Sequence, residues 1–376
     1  MQSKTGFLTL SILLILSDCA FRLFASFLAT QIINLILLKS METTFDLPKV
    51  RGKYRFNVDL SKTTWFRVGG KAQILFLPKD ADDLSFFLKN KPGDLAVTIL
   101  GACSNVIIKD GGIEGVVIKL GREFAKINHD DVVNADMSAK IPDDQKRFIS
   151  TGGVPLNAGR DTCRVKKTIT IGAGNLCFNA ALYTKINGLS GLEFLSSIPG
   201  NVGGAICMNA GCYDSDISKN IISATAIDFD GNILEISNKD FGFKYRGNSL
   251  PKNLIFVQGI FTIEQSTQKE VGAKIAEFAA KREASQPIRQ KTGGSTFKNP
   301  DQEKSGGRSA WQLVDEAGCR GLKVGDAQVS EKHCNFMINI GEAKAQDLID
   351  LGNLVIDKVK EKTGIELEWE IKRIGK

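Results

Sequence analysis

Two histidines in 376 residues leave little material for a catalytic imidazole or a His-rich metal site. Acid–base chemistry therefore falls to Ser, Glu, Lys, Arg, Tyr or Cys. The eight cysteines (Cys19, Cys103, Cys163, Cys177, Cys207, Cys212, Cys319 and Cys334) form no CxxC pair and no metal-ligand spacing. That argues against a bound metal and reads as free thiols in a reducing compartment, the cytoplasm. No GxGxxG opens a helix, so a Rossmann unit is excluded. Repeats, low-complexity segments and basic runs are also missing. The formal net charge of +7 comes from interleaved acids and bases, which favours an anionic small molecule over a nucleic acid.

What is present is a 43% hydrophobic chain, long enough to bury a sizeable core in two or three domains. Residues 7–38 are almost wholly apolar, broken only by Asp18 and Arg22. A signal peptide, a membrane anchor and an upstream extension with the true start at Met41 compete as readings. The third is the expectation, because the two charges leave pieces short for a full span. A membrane is a partner only if residues 7–38 are a real anchor.

Globular signals begin at Lys53. A strand over 72–77 stops at Pro78, Asp80 caps a helix to Asn90, and a strand over 96–100 runs into Gly101-Ala102-Cys103-Ser104-Asn105. A strand over 111–119 follows. Residues 128–167, rich in Asp, Lys, Arg and single glycines, read as an exposed inserted loop that includes His129. Order returns with a strand at 169–171 and a helix over 175–187. Asp230-Gly231 joins strands 223–229 and 232–236 as a type I′ hairpin, and a buried strand spans 254–264. A helix over 269–285 carries Val271, Ile275 and Phe278 on one stripe and ends before Pro287. Beyond it come helices over 309–317 and 344–362, a strand at 335–340, and an alternating strand over 365–374.

Within this frame residues 188–213, GLSGLEFLSSIPGNVGGAICMNAGCY, pack glycines between short apolar runs with neither helical nor strand period. Glycine lets main chain approach a ligand closely, and free N–H groups can cradle an anion such as a diphosphate. Arg246 stands among aromatic neighbours suited to holding a guanidinium for a carboxylate. Taken alone, Ser295 reads as a turn residue and Glu370 as a solvated strand-face acid. Cys103, Cys207 and Cys334 read as buried small apolar groups.

Seven blocks in order, TTWFRVGG (63–70), GACSN (101–105), the glycine-rich stretch, YRGNS (245–249), GGSTFKNP (293–300), GDAQVSEKHCNFMIN (325–339) and LEWEIKRIG (367–375), closely resemble the UDP-N-acetylenolpyruvoylglucosamine reductase (MurB) family. The match covers roughly residues 50–127 and 168–376. The resemblance implies an α+β fold: a two-lobed FAD-binding domain of the vanillyl-alcohol-oxidase (PCMH) type, then an α+β substrate domain. The expected divisions are a leader at 1–40, lobe 1 at 41–123, lobe 2 at 124–267 with the insert, and the substrate domain at 268–376. No room exists after Tyr245 for the extra tyrosine-bearing loop of one branch, so the shorter, type II-like branch is expected.

It also implies an oxidoreductase that binds FAD, takes hydride from NADPH and reduces the enolpyruvyl ether of the UDP-sugar to UDP-N-acetylmuramate for peptidoglycan synthesis, and so for cell shape and division. By motif position Ser295 is the proton donor, while Arg246 and Glu370 activate substrate and stabilise the enolate. Tyr245, Lys298 and Asn299 fall near substrate. Arg67, Gly101, Ser104, Asn105, Ser197, Ile198, Pro199, Gly200, Gly203, Gly204, Asn209 and Gly211 fall to the flavin, which is expected to be non-covalent because neither His129 nor His333 is placed to tether it. The alternative is a FAD-dependent oxidase of the same fold acting on another substrate, which would have no reason to keep GGSTFKNP together with Glu370.

Overall fold

The computed structural model describes residues 45–129 and 166–376. The apolar leader and most of the expected insert thus lie outside the described residues. By contacts the chain has a large unit, residues 50–89 and 95–376, and a small one of which residues 45–49 and 90–94 are described.

Three sheets carry it. The first runs Lys53–Asp59, Lys71–Leu77, Ile113–Ile118, Val97–Ile99; its first pair is antiparallel and the others parallel. The helix Ala81–Asn90 crosses between strands and buries Leu84, Phe87 and Leu88. Phe87 meets Phe76 at 4.5 Å between ring centroids. Asp80 caps it as the sequence predicts, its carboxylate accepting from the Asp83 N–H at 3.0 Å.

The second sheet is antiparallel, in the order Ile233–Ser237, Ile221–Asp228, Leu254–Gln265, Lys166–Gly172, Ile127–His129, with Leu189–Ser190 also on Leu254–Gln265. Ile169, Ile171, Phe261 and Ile263 from its strands share a core with Cys177, Ala180 and Ala181 of the helix Cys177–Ile186 and with Phe278 of the helix Gln268–Ser285. The latter begins with a Thr267/Glu270 capping box and buries Val271 and Phe278 on the predicted stripe.

The third sheet runs Lys291–Thr292, Met337–Asn339, Ala327–Val329, Lys323–Val324. The helices Ala310–Glu316 and Ala345–Thr363 bury Leu313, Val314, Leu348, Leu351 and Val355 in its core. A last strand, Lys372–Ile374, returns to pair in parallel with Val106–Ile108.

Several expectations are corrected. The insert is narrower than the sequence suggests: Asn128 and His129 pair with Thr170 and Ile169, and Lys166 and Lys167 with Glu264 and Ile263. His129 is therefore a half-buried strand residue, its Nδ1 2.8 Å from the Tyr183 hydroxyl. The 228–233 hairpin is real, but residues 229–232 form its loop and only Gly231 has positive φ, so the turn is not type I′. The Asp228 carboxylate, accepting from the N–H groups of Asp230 and Asn232, fixes the longer loop. The glycine-rich stretch hides a short helix, Val202–Met208. Residues 365–371 alternate in burial without forming a strand, because only Trp369 finds a bridge partner, Phe297. Cys207 is exposed rather than buried, although its crowded thiol is raised by burial. Among the described residues no helix is long and apolar enough to cross a membrane.

Candidate active site

The turn at 101–105, after the strand Val97–Ile99, packs against the turn at 199–201. Ser104 donates its hydroxyl to the Pro199 carbonyl at 3.1 Å. A Cβ on Gly200, whose φ is +116°, would fall 2.8 Å from the Ser104 Oγ, and one on Gly101 would fall 2.8 Å from the Asn201 Oδ1. Gly203 is pressed on Ala173, its N–H donating to the Ala173 carbonyl at 2.9 Å. A Cβ at any of these α-carbons would make a neighbouring side chain shift, and at Gly200 it would also meet a φ that side-chain residues rarely adopt. Gly204, by contrast, faces open space.

Buried polar atoms without partners concentrate at this junction: Asn105 Oδ1, Ser196 Oγ and Ser197 Oγ, with Thr296 Oγ1 in the third-sheet loop beyond. Folding seldom leaves such groups unsatisfied, since each costs about 1–3 kcal/mol. Their natural partner is a polar ligand seated along the turns. Acceptors, hydroxyls and closely approached main chain suit the heteroatom edge and diphosphate of a flavin dinucleotide. Ser104, Ser196, Ser197, Gly204 and Asn105 could hold it.

The facing wall comes from the third-sheet region. A Cβ on Gly293 would sit 2.7 Å from the Phe66 ring, which brings the 293–299 loop onto the 63–70 segment. Asn335 holds that loop: its Oδ1 accepts from the Phe297 N–H at 2.9 Å and its Nδ2 donates to the Phe297 carbonyl at 2.8 Å. The Glu370 N–H donates to the Thr296 carbonyl at 2.8 Å, so Ser295 and Glu370 lie on crossing segments. Ser295 is half-buried. Asn105 joins the two walls, its Nδ2 donating to the Glu370 carbonyl at 3.3 Å.

Arg246 Nε lies 3.0 Å from Glu370 Oε1. The pair is close in distance, although the Nε–H is not aimed along a hydrogen bond. Arg246 holds a left-handed φ of +55°, unusual for a side-chain residue. A Lys244–Gly247 backbone pair and an Nη1 bond to the Gly211 carbonyl at 3.2 Å keep it there. Burial pushes the Glu370 carboxyl above its ordinary pKa, against the opposing pull of Arg246, Lys298 and Lys372.

The structure therefore gathers Ser295, Arg246 and Glu370, together with Gly101, Ser104, Asn105, Ser197, Pro199, Gly200, Gly203 and Gly204. Ile198 packs on the second-sheet core beside them. Tyr245 is exposed, its ring 5.1 Å from the Arg246 guanidinium carbon. Lys298 reaches Glu368 at 2.9 Å. Other expected residues are occupied elsewhere. Asn209 uses both ends of its amide, donating to Lys244 and accepting from Ser218, and Gly211 serves Arg246 and a hairpin with Asp216. The Asn299 Oδ1 accepts from the Ala310 N–H at 3.0 Å at a helix start. The Arg67 guanidinium bonds the Lys62 carbonyl and lines a separate cleft. Asn335 and Thr296 were not singled out from sequence. The one available signal was a polar Asn inside the apolar run Cys334–Ile338.

Comparisons with known proteins agree with this geometry. The family described as UDP-N-acetylenolpyruvoylglucosamine reductase, C-terminal domain, matches residues 286–374. The family described as FAD binding domain matches residues 144–237. UDP-N-acetylenolpyruvoylglucosamine reductase of Rickettsia bellii (strain RML369-C) is 44% identical over 331 residues, 88% of this chain and 97% of that one. That of Rickettsia canadensis (strain McKiel) is 44% identical over 330 residues, 88% of this chain and 98% of that one. The crystal structure of UDP-N-acetylenolpyruvylglucosamine reductase (MurB) from Thermus caldophilus superposes with TM-score 0.65 at 28% identity, covering 87% of this chain and all of that one.

Proposed function

The chain belongs to the UDP-N-acetylenolpyruvoylglucosamine reductase family, and from that premise we propose that it uses NADPH and non-covalent FAD to reduce the enolpyruvyl ether of the UDP-sugar to UDP-N-acetylmuramate. That step makes a peptidoglycan precursor, on which cell shape and division depend. Bound FAD supplies a two-electron carrier between NADPH and the enolpyruvyl β-carbon. The protein's own residues supply the rest.

Adding hydride to the β-carbon places charge on the α-carbon and its carboxylate. Arg246, fixed by Gly211 and Tyr245, meets that charge with a preset guanidinium. Glu370 retains a proton more readily than an ordinary carboxyl and can donate it as a hydrogen bond to the enolate oxygen. The Ser295 hydroxyl then gives its proton to the α-carbon, completing the net addition of two hydrogens. Lys298 and the amide nitrogen of Asn299 assist substrate binding, the Asn299 Oδ1 being held at the start of the helix Ala310–Glu316. The observation that carries the reading is the half-buried Arg246–Glu370 pair set against the unpartnered Asn105 Oδ1, Ser196 Oγ and Ser197 Oγ.

Non-covalent attachment is supported by the engagement of both histidines: His129 with Tyr183, and His333 against Phe336 at 4.9 Å. The cytoplasm is supported by the thiols, since all six described cysteines are free. The test is direct. Purified protein should be yellow, bleach with NADPH under anaerobic conditions and recover its colour on adding the enolpyruvyl UDP-sugar, with a product heavier by two hydrogens. Acid precipitation should leave the flavin in the supernatant. Recovery of colour with oxygen but not with this substrate would instead favour an oxidase.

A further inference from the structure

A cleft of about 400 Å³ opens where the 62–67 segment meets residues 289–291. Lys62, Arg67, Arg289 and Lys291 line it together with Trp65, and no carboxylate does. Such a set is unlike a solvated face, where acids and bases alternate. Two of the cations are held in place: Arg67 by the Lys62 carbonyl and Lys291 by the Gly341 carbonyl at 2.9 Å. Neither loses charge to those bonds. Arg289 is paired with Glu283, whose carboxylate lies in a neighbouring cavity of about 480 Å³. Lys62 is exposed, and its ammonium makes no ion pair with a carboxylate at salt-bridge distance among the described residues.

Trp65 is 38% exposed, a large aromatic left at the surface beside these charges. Its main chain is fixed, the N–H donating to the Cys103 carbonyl at 3.4 Å and the adjoining Phe66 ring buried. An exposed indole on fixed main chain beside three or four cations offers a stacking face and a phosphate site together. The volume lies within the range of small-molecule pockets, about 300–1,000 Å³. None of Ser295, Arg246 and Glu370 lines this cleft.

We infer that this cleft binds a nucleoside phosphate, with its base on Trp65 and its phosphates on Lys62, Arg67 and Lys291. The flavin's own diphosphate belongs to the turns at 101–105 and 196–204, so the ligand of this cleft is a separate nucleotide. The experiment is calorimetric titration of the full chain with ADP, inorganic pyrophosphate and adenosine, using flavin-loaded and flavin-stripped protein. ADP should bind more tightly than pyrophosphate or adenosine. Lys62→Gln combined with Lys291→Gln should weaken ADP about ten- to hundredfold, and Trp65→Ala should bring it down to the affinity of pyrophosphate.

Binding to the loaded protein assigns the cleft to a separate nucleotide. Binding to the stripped protein alone would mean that ADP takes the flavin's place on the turns at 101–105 and 196–204, and it too overturns the inference. Equal affinities for ADP and pyrophosphate, no measurable ADP binding to either form, or ADP binding indifferent to both lysines overturns the inference. All the replaced side chains are exposed, and a melting curve for each variant checks that it is folded. No turnover is needed, so a failure here leaves the reductase reading untouched, and a failure of that reading leaves this test valid.

Discussion

The turns at 101–105 and 196–204 offer a ligand main chain and small hydroxyls, whereas the wall at 295–299 and 368–371 offers long charged side chains. The first surface exists because Gly101, Gly200 and Gly203 carry no Cβ, so its shape is set by how closely the Asn201, Ser104 and Ala173 side chains pack on its backbone. The second exists because Asn335, Thr296 and Asn105 hold two loops in register, leaving Ser295 and Glu370 to project from a fixed frame. A backbone surface binds through shape and is damaged by adding atoms. A side-chain surface reacts through chemistry and is silenced by changing one functional group while its shape survives. Substitutions on the two surfaces should therefore fail in different ways.

The largest separation is expected from Ser295→Ala. Flavin bleaching by NADPH should stay near the wild-type rate, while reoxidation by the enolpyruvyl substrate falls about two to four decades, the usual cost of a positioned general acid. Stopped-flow absorbance reads both steps, and equal slowing of the two would erase the distinction between the surfaces. Next is Gly200→Ala, which puts a side chain at φ +116° and 2.8 Å from the Ser104 hydroxyl. It should cost about 1–3 kcal/mol of stability and lower the flavin content of purified protein, measured as the ratio of visible to ultraviolet absorbance. Full flavin loading would show that the turn tolerates atoms and is not shaped by close approach.

Glu370→Gln gives a subtler, pH-dependent signal. Burial raises the pKa of this carboxyl in the folded state, so the fold holds its proton more tightly than the unfolded chain does. Stability linked to that proton is complete below the ordinary carboxylate pKa and is lost as pH rises through the raised value. Glutamine cannot lose a proton. The melting temperature of Glu370→Gln minus that of wild type should therefore grow as pH rises above the ordinary carboxylate range. A difference that is flat or shrinks with pH would mean Arg246 dominates the site instead. The smallest effect belongs to Glu368→Gln. Its carboxylate is 76% exposed and held below the ordinary pKa by the Lys298 hydrogen bond. Loss of that pair should cost at most about 1 kcal/mol, and less at high salt, as chemical denaturation in two salt concentrations would show.

Local signals in the sequence were sufficient for elements whose cause is local. The helix Gln268–Ser285 announces itself through Thr267, Glu270 and the Val271–Phe278 stripe, and Gly364, at φ +73°, ends Ala345–Thr363 where expected. Motif order was enough to bring Ser295, Arg246 and Glu370 into one reading. What stayed hidden depends on distant partners. Asn335 matters because Phe297 sits opposite it, 38 residues away in sequence, and no period in either segment reports that. Residues 365–371 alternate like a strand yet lack a continuous neighbour, whereas Lys372–Ile374 become one because Val106–Ile108 is there to pair. The edges of the insert were misjudged for the same reason: polar Asn128 and Lys166 look like loop until Thr170 and Glu264 are seen across from them.

The parallel pairing of Lys372–Ile374 with Val106–Ile108 has a bearing on how the protein is born. Asn105 and Glu370 meet across 265 residues of sequence, so the carboxylate wall can assemble only long after the turn at 101–105 has been made. The turns at 101–105 and 196–204 are synthesised long before it and can close while the ribosome is still at work. A chain interrupted late in synthesis would carry Ser295, Arg246 and most of the flavin cradle, yet lack the strand that seats Glu370. Chemical competence is thus coupled to the synthesis of Lys372–Ile374, and a polypeptide without that strand is a binder before it is a catalyst.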